Sequence, residues 1–162
     1  MEFSKLLEER RSIRKFDPEK KVTADQIKEI INAAIQAPSW KNSQTTRYYA
    51  VVTPEKIEAF SAACLPEFNQ KSAAGAALVV TTFVKDRSGF DQEGNPNNEV
   101  GNGWGYYDLG LHDENFILKA RDLGLDTLIM GIRDEKAIRE FLSIPEEELL
   151  GSVIAVGYRA IN

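Results

Sequence analysis

The sequence predicts one layered domain of α-helices packed on β-strands, and three observations predict it. A strongly helical stripe at 24–36, with Ile27, Ile30, Ile31, Ala34 and Ile35 on one face, alternates along the chain with short β-rich runs. Those runs fall at 47–53, 77–85, 127–130 and 152–159, and three of them are nearly continuous apolar stretches, as strands covered on both faces require. The chain has 162 residues, 43% hydrophobic and 28% charged, with no internal repeat and no second apolar core. A chain near this length buries roughly 70% of its extended surface, enough for one real core.

Each element has its own signal. Glu2 to Glu9 reads as a short amphipathic helix. Thr23 and Gln26 form a capping-box pattern ahead of the 24–36 helix, and Val22 can staple onto Ile27. The strand at 47–53 is followed by Thr53 as a cap and Pro54 in a first-turn position, which predicts another helix. After the strand at 77–85 comes a polar stretch, 86–110, holding six of the eleven glycines. A loop of that length is either functional or mobile, or else a surface insertion, and its glycine-rich part runs to about residue 107. Phe116, Ile117, Ala120 and Leu123 restore helical spacing over 108–123, with Gly124 placed for the C-terminal cap. The strand at 127–130, a helix that starts after Asp134 and ends before Pro145, and the strand at 152–159 complete the chain.

Charge and composition exclude several functions. With 20 Lys plus Arg against 25 Asp plus Glu, the formal charge is −5 and the pI about 5.0, so no nucleic-acid or membrane-surface partner is encoded in the net balance. Cys64 has no second cysteine to pair with, and His112 cannot complete a zinc site alone. The first nine residues lack an apolar run, and no stretch approaches the ~20 apolar residues of a membrane span, so the expected compartment is the cytoplasm. No Gly-x-Ser-x-Gly and no glycine-rich loop ending in Lys are present, and Gly101-Asn102-Gly103-Trp104-Gly105 does not complete the dinucleotide fingerprint. Asp91, Glu93, Asn95, Asn97 and Glu99 space oxygen side chains like a calcium loop. Pro96 occupies the place of the required glycine, so a solvated loop is the better reading and no metal is expected.

Two segments stand apart. Arg10, Arg11, Arg14 and Lys15 surround Ser12, and in an extended segment Arg10, Ser12 and Arg14 project to one side. Two guanidiniums and a hydroxyl converging on a point suit a phosphate monoester; the competing reading is a basic turn paired with the abundant acids. Ala37-Pro38-Ser39-Trp40-Lys41-Asn42-Ser43-Gln44 follows directly on the best helix. It is either a helix-exit loop with a covering Trp or a set of amides and hydroxyls that reads a heteroaromatic edge.

Together, Glu9-Arg10-Arg11-Ser12-Ile13-Arg14-Lys15-Phe16 and Ala37 to Gln44 resemble the paired signatures of the FMN-dependent nitroreductase family. Asp108-Leu109-Gly110, the helix after it, and the run Leu123 to Gly131 resemble that family's central helix and the strand beyond it, so the likeness spans nearly the whole chain. The resemblance implies an α+β, three-layer αβα fold with a central mixed sheet flanked by helices, built as an intertwined homodimer with FMN at each of two subunit interfaces. It implies that Arg10, Ser12 and Arg14 hold the phosphate and ribityl side, and that Pro38, Ser39, Trp40, Asn42 and Gln44 approach the flavin from the other subunit. Phe68-Asn69 resembles the family's Phe-Asn step, which implies Asn69 at the pyrimidine edge with Lys71 nearby and Phe68 toward the substrate channel. Met130 and Gly131 match the segment whose backbone amides face the reactive flavin nitrogen, where glycine permits close approach. Lys41, Trp104, Tyr106 and Tyr107 are expected on the acceptor side, the aromatics having dimer packing as their alternative role.

The implied activity is ping-pong transfer of hydride from NAD(P)H through FMN to nitroaromatics, quinones or similar electrophiles, with the cofactor carrying the difficult step. Alternatives on the same scaffold are a specialised reaction such as flavin destruction or dehalogenation, and an FMN-storing protein with vestigial catalysis. The sequence departs from the family's pattern twice. Arg159 alone follows the last strand where many relatives carry a basic segment, so FMN affinity is expected to fall unless Arg11 or Arg159 substitutes. Thr45 replaces the common Pro after Gln44, which is expected to loosen the turn that presents Gln44. His112, inside the central helix, is expected to pack rather than to act as a base.

Overall fold

The two most apolar runs pair to make the middle of the sheet. A computed structural model describes residues 1–160 and gives strands β1 (Thr46–Val51), β2 (Ala77–Val84), β3 (Asp126–Met130) and β4 (Glu148–Gly157). Their order is β1-β2-β4-β3, with every neighbouring pair antiparallel. Seven consecutive residues of β2, Ala77 to Phe83, are buried, which explains its unbroken hydrophobicity. β3 is an edge strand, and its outer side meets Ser12 in a parallel bridge, with the Ile13 N–H donating to the Thr127 carbonyl at 3.0 Å. The four-stranded sheet is therefore antiparallel and not the expected mixed one, the parallel Ser12–Thr127 contact being an isolated bridge outside its strands.

Side chains alternate across the sheet and fill two cores. Leu78, Val80, Leu128, Met130 and Val153 face Phe60 and Cys64 of α3 (Pro54–Cys64) and Ile138 of α6 (Glu135–Leu142). Val79, Ile154 and Val156 face Ile27, Ile30 and Ala34 of α2 (Ala24–Ala34), and Phe116, Ile117 and Ala120 of α5 (Gly103–Asp122). The result is the expected α+β, three-layer arrangement. α1 (Phe3–Glu9) lies against α5, and α4 (Glu67–Ala73) leads into β2.

Local chemistry explains the helix ends. In the capping box of α2, the Gln26 N–H donates to Thr23 Oγ1 (3.1 Å) and the Thr23 N–H to Gln26 Oε1 (2.9 Å), while Val22 packs on the cluster that contains Ile27. Asp134 caps α6 by accepting from the Ala137 N–H. Thr53 makes no side-chain cap, so α3 starts on the φ of Pro54 alone. α4 carries no apolar stripe in its seven residues, and the sequence does not announce it.

The largest departure is the start of α5, five residues earlier than the apolar spacing indicates. A Cβ on Gly105 would sit 2.1 Å from Cε2 of the fully buried Phe83, so this glycine is where helix and sheet approach most closely. The preceding polar loop is correspondingly shorter. Its ends are tied by Asp86 and Asn102, which exchange two hydrogen bonds of 2.8 Å, and Asp91 accepts from the Glu93 and Asn95 N–H groups. No helix among the described residues is long and apolar enough to cross a membrane.

Candidate functional site

The basic segment leaves α1 in extended backbone at Arg10 and is pinned to the edge of β3 through Ser12 and Ile13. Ile13 is buried while Ser12 and Arg14 on either side of it are exposed, the alternation that extended chain gives. Among the described residues, the Arg10 and Arg14 side chains have no ion-pair or hydrogen-bond partner. The other two cations are committed. Arg11 Nη1 donates to the Glu8 and Arg10 carbonyls (2.6 and 3.0 Å) and so caps the C-terminal end of α1. Arg159 forms a two-pronged pair with Asp126, a 2% exposed carboxylate that also accepts from Arg121 Nη1 at 2.8 Å. The hydrogen bonds to Asp126 raise the Arg159 guanidinium further above its ordinary range. A groove of about 530 Å³ runs beside them, lined by Arg11, Lys20, Arg121, Asp126, Tyr158 and Arg159. Both guanidiniums are thus held in place within the protein, Arg11 through Nη1 and Arg159 through Nε and Nη2.

The second segment is a strained turn. Lys41, Asn42 and Gln44 all have left-handed φ (47°, 52° and 53°), an arrangement that non-glycine residues keep only when surroundings hold it. The Gln44 N–H donates to Ser39 Oγ, its side-chain amide to Asn42 Oδ1, and Arg47 Nη1 to its carbonyl. The Trp40 N–H donates to Asp108 Oδ2 at 2.9 Å. Thr45 is fully buried, and its hydroxyl lies 3.2 Å from Ser88 Oγ, so the residue that stands in place of the Pro pins the turn instead of loosening it. Pro38 and Lys41 are exposed beside it.

Polar atoms are left over around this turn. Trp40 Nε1 and Thr46 Oγ1 are buried and have no partner among the described residues. Such groups ordinarily find one, so they mark a place where a polar ligand would fit. The Trp40 ring lies 4.8 Å from that of Trp104, whose Nε1 donates to Asn98 Oδ1. A cleft of about 250 Å³ is lined by Gln36, Asn42, Gln44, Thr46, Arg47 and His112. His112 is buried, with Nδ1 against the Asp108 carbonyl at 2.7 Å, and because a carbonyl only accepts, Nδ1 carries a proton. It packs, as expected, and also forms part of this cleft.

The remaining candidates gather at the end of β3. Asn69, 8% exposed, donates from Nδ2 to the Ile132 carbonyl at 2.9 Å, which keeps Oδ1 as an acceptor. Met130 is buried, Gly131 is exposed with open space where a Cβ would stand, and Phe68 is 54% exposed. Lys71 is exposed and paired with Glu67 at 2.7 Å. Of the aromatics, Trp104 lies by the strained turn, Tyr107 packs on Trp104 at 5.4 Å, and Tyr106 is anchored edge-on to Phe83 with its hydroxyl toward the Leu150 carbonyl.

The candidates thus form two groups. Ser12 with its flanking arginines, Asn69, Met130 and Gly131 follow β3; Pro38 to Gln44 enter β1, the opposite edge of the sheet. Three strand spacings of about 4.8 Å separate those edges, roughly 14 Å. Free guanidiniums and a hydroxyl in one group, and amides with orphaned N–H and O–H groups in the other, are the donor set that a phosphate and a planar heteroaromatic ring require, so the residues fit FMN chemically.

Comparison with known proteins agrees with this geometry. The family model described as the nitroreductase family matches residues 7–158. A relative from Archaeoglobus fulgidus, provisionally named an NADH dehydrogenase/NAD(P)H nitroreductase, is 30% identical over 163 residues, covering 95% of this chain and 83% of its own. A solved structure described as an oxidoreductase containing FMN is 27% identical with a TM-score of 0.81, covering 96% of this chain and 76% of the other. A nitroreductase family protein from Clostridium novyi, 23% identical, shares the fold with a TM-score of 0.81 over 98% of this chain and 86% of its own.

Proposed function

Because the chain belongs to the nitroreductase family, we propose that two copies of it hold FMN between them and pass hydride from NAD(P)H to an electrophilic acceptor, a nitroaromatic or a quinone. The observation that carries this reading is the division of the site. The phosphate-type group lies on the β3 edge and the strained amide turn leads into the β1 edge, so one flavin is best completed by the turn of a second chain. Exposed apolar side chains support such a partner: Phe3 and Leu7 of α1, Ile35 after α2, and Tyr107 and Leu111 of α5 are all exposed.

FMN, when bound, supplies the centre that accepts hydride from the nicotinamide and returns it to the acceptor. Arg10 and Arg14 hold its phosphate, and Ser12 adds a neutral donor. Asn69 Oδ1 accepts from the pyrimidine edge, with Lys71 lending positive charge nearby. Gly131 gives the backbone close access at the end of β3, beside Met130. Pro38, Ser39, Trp40, Asn42 and Gln44 of the second chain cover the ring. Phe68, Lys41, Trp104 and Tyr106 border the place of the acceptor, where a planar substrate stacks and water is displaced.

Flavin storage is the less favoured reading. Arg11 and Arg159 are engaged within the protein, which leaves the phosphate chiefly to Arg10 and Arg14 and argues for a loosely held flavin. Steady-state rates with NADH and NADPH, measured against varied nitroaromatic and quinone concentrations, test the proposal. Parallel double-reciprocal lines are expected from two alternating half-reactions. Absence of turnover with every acceptor in protein that retains FMN would support storage instead.

A further inference from the structure

The strained turn needs something to hold it, and the hydrogen bonds that do so lead to a buried carboxylate behind it, on α5. Asp108 is 3% exposed, in the second turn of α5. Its Oδ2 accepts the Trp40 N–H at 2.9 Å and the Ser88 hydroxyl at 2.7 Å. Because Ser88 gives its one proton to Asp108, its lone pairs are left to accept from Ser43 (2.9 Å) and Thr45 (3.2 Å). Asp108 therefore grips the turn at Trp40 directly and at Ser43 and Thr45 through Ser88, on both sides of the left-handed residues Lys41 and Asn42.

The same joint reaches the glycine-rich loop. Ser88 sits at its start, and a Cβ on the next residue, Gly89, would lie 2.6 Å from Trp104 Cδ1, so the loop is packed hard against the indole that faces Trp40. Left-handed non-glycine residues are strained and persist only where the structure over-determines them. Three occur in four consecutive positions here, and the hydrogen bonds that reach the turn from α5 and the loop end at Asp108 or Ser88, apart from a longer one of 3.3 Å from Arg87 Nη2 to the Ser43 carbonyl.

We propose that Asp108 is a positioning residue: through the Trp40 N–H and Ser88 it holds the Ser39–Gln44 turn in its ligand-binding form and so sets flavin affinity without touching flavin. The consequence for binding rests on the FMN reading above; the consequence for the turn does not. The carboxylate is needed as an acceptor, which an Asn side chain also provides through its carbonyl oxygen, whereas Ala provides none.

The test compares Asp108→Ala, Asp108→Asn and Ser88→Ala in the full chain, read by FMN titration and by near-ultraviolet circular dichroism. The 4.8 Å Trp40–Trp104 pair, inclined at 43°, is expected to give a coupled indole signal, assigned by its loss in Trp40→Phe. Asp108→Ala is expected to raise the FMN Kd at least tenfold and abolish the coupled signal with the helix content retained. Asp108→Asn should keep the signal and stay within threefold of the wild-type Kd, and Ser88→Ala should fall between. If Asp108→Ala does not fold, Ser88→Ala carries the same comparison. A wild-type signal and Kd in the Ala variants would overturn the proposal, as would an Asn variant as impaired as Ala. Should the wild-type chain bind no FMN, the functional reading fails, and the Trp signal still decides whether Asp108 holds the turn.

Discussion

Removing Arg10 and Arg14 together separates the cations that serve a ligand from those that serve the fold. Neither side chain has a partner among the described residues, so truncating both breaks no ion pair and should leave folding nearly untouched. Hydrogen bonds to charged groups contribute about 1.5 to 3 kcal/mol each. Loss of one from each arginine therefore costs roughly 3 to 6 kcal/mol of FMN binding, a Kd raised about 10²- to 10⁴-fold. Arg159→Ala should do the opposite, because it strips the two-pronged partner from Asp126, a 2% exposed carboxylate left with Arg121 alone. Because Arg121 still compensates the charge, the loss of these charge-assisted hydrogen bonds costs about 1.5 to 3 kcal/mol of stability. Quenching of FMN fluorescence measures the first effect and thermal melting the second. If Arg10→Ala/Arg14→Ala binds FMN within threefold of wild type, or Arg159→Ala loses flavin while keeping its melting temperature, the assignment of these charges is wrong.

Three further outcomes follow from single positions. Burial pushes the Asp113 carboxyl up to about 7 from an ordinary 3.8, against the hydrogen bonds from Tyr48 and Thr81 that pull it down. The folded protein therefore holds more protons than the unfolded chain between about pH 4 and 7, so stability contributed at low pH is lost as pH rises through that window. Asp113→Asn should flatten this part of a denaturation-versus-pH curve, and an unchanged slope would clear Asp113. Gly105→Ala drives a Cβ to within 2.1 Å of a Phe83 ring that is fully buried and cannot yield, and should destabilise by about 1 to 3 kcal/mol in urea denaturation. Leu111→Arg, on the exposed apolar face of α5, should shift the protein toward monomer in sedimentation and release FMN in parallel; a dimer that tolerates the charge would move the interface elsewhere.

What the sequence discloses follows the range of the interactions involved. The capping box of α2 is legible because Thr23 and Gln26 are three residues apart and the apolar stripe behind them is periodic. The phosphate-type cluster is legible as chemistry because Arg10, Ser12 and Arg14 are adjacent and extended. The start of α5 is not, since Gly103 and Gly105 read as loop until Phe83, more than twenty residues earlier, is placed beneath them. Nor is the fate of Arg159, which depends on Asp126, 33 residues earlier, at the adjoining end of a neighbouring strand. Asp108 appears in the sequence as part of a family-like run, but its grip on Trp40 spans 68 positions and needs the packed helix to exist. The division of the site between two sheet edges emerges from strand order alone, which no local pattern encodes.

The central claim, that paired chains hold a working flavin, is tested most directly by reconstituting the purified protein with FMN and adding NADH or NADPH without oxygen. The account predicts one FMN per chain in a dimer, loss of the oxidised-flavin absorbance on adding the nicotinamide, and its return when a nitroaromatic or quinone is supplied. A chain that takes up no FMN, or bound FMN that stays oxidised under both nicotinamides, would contradict it.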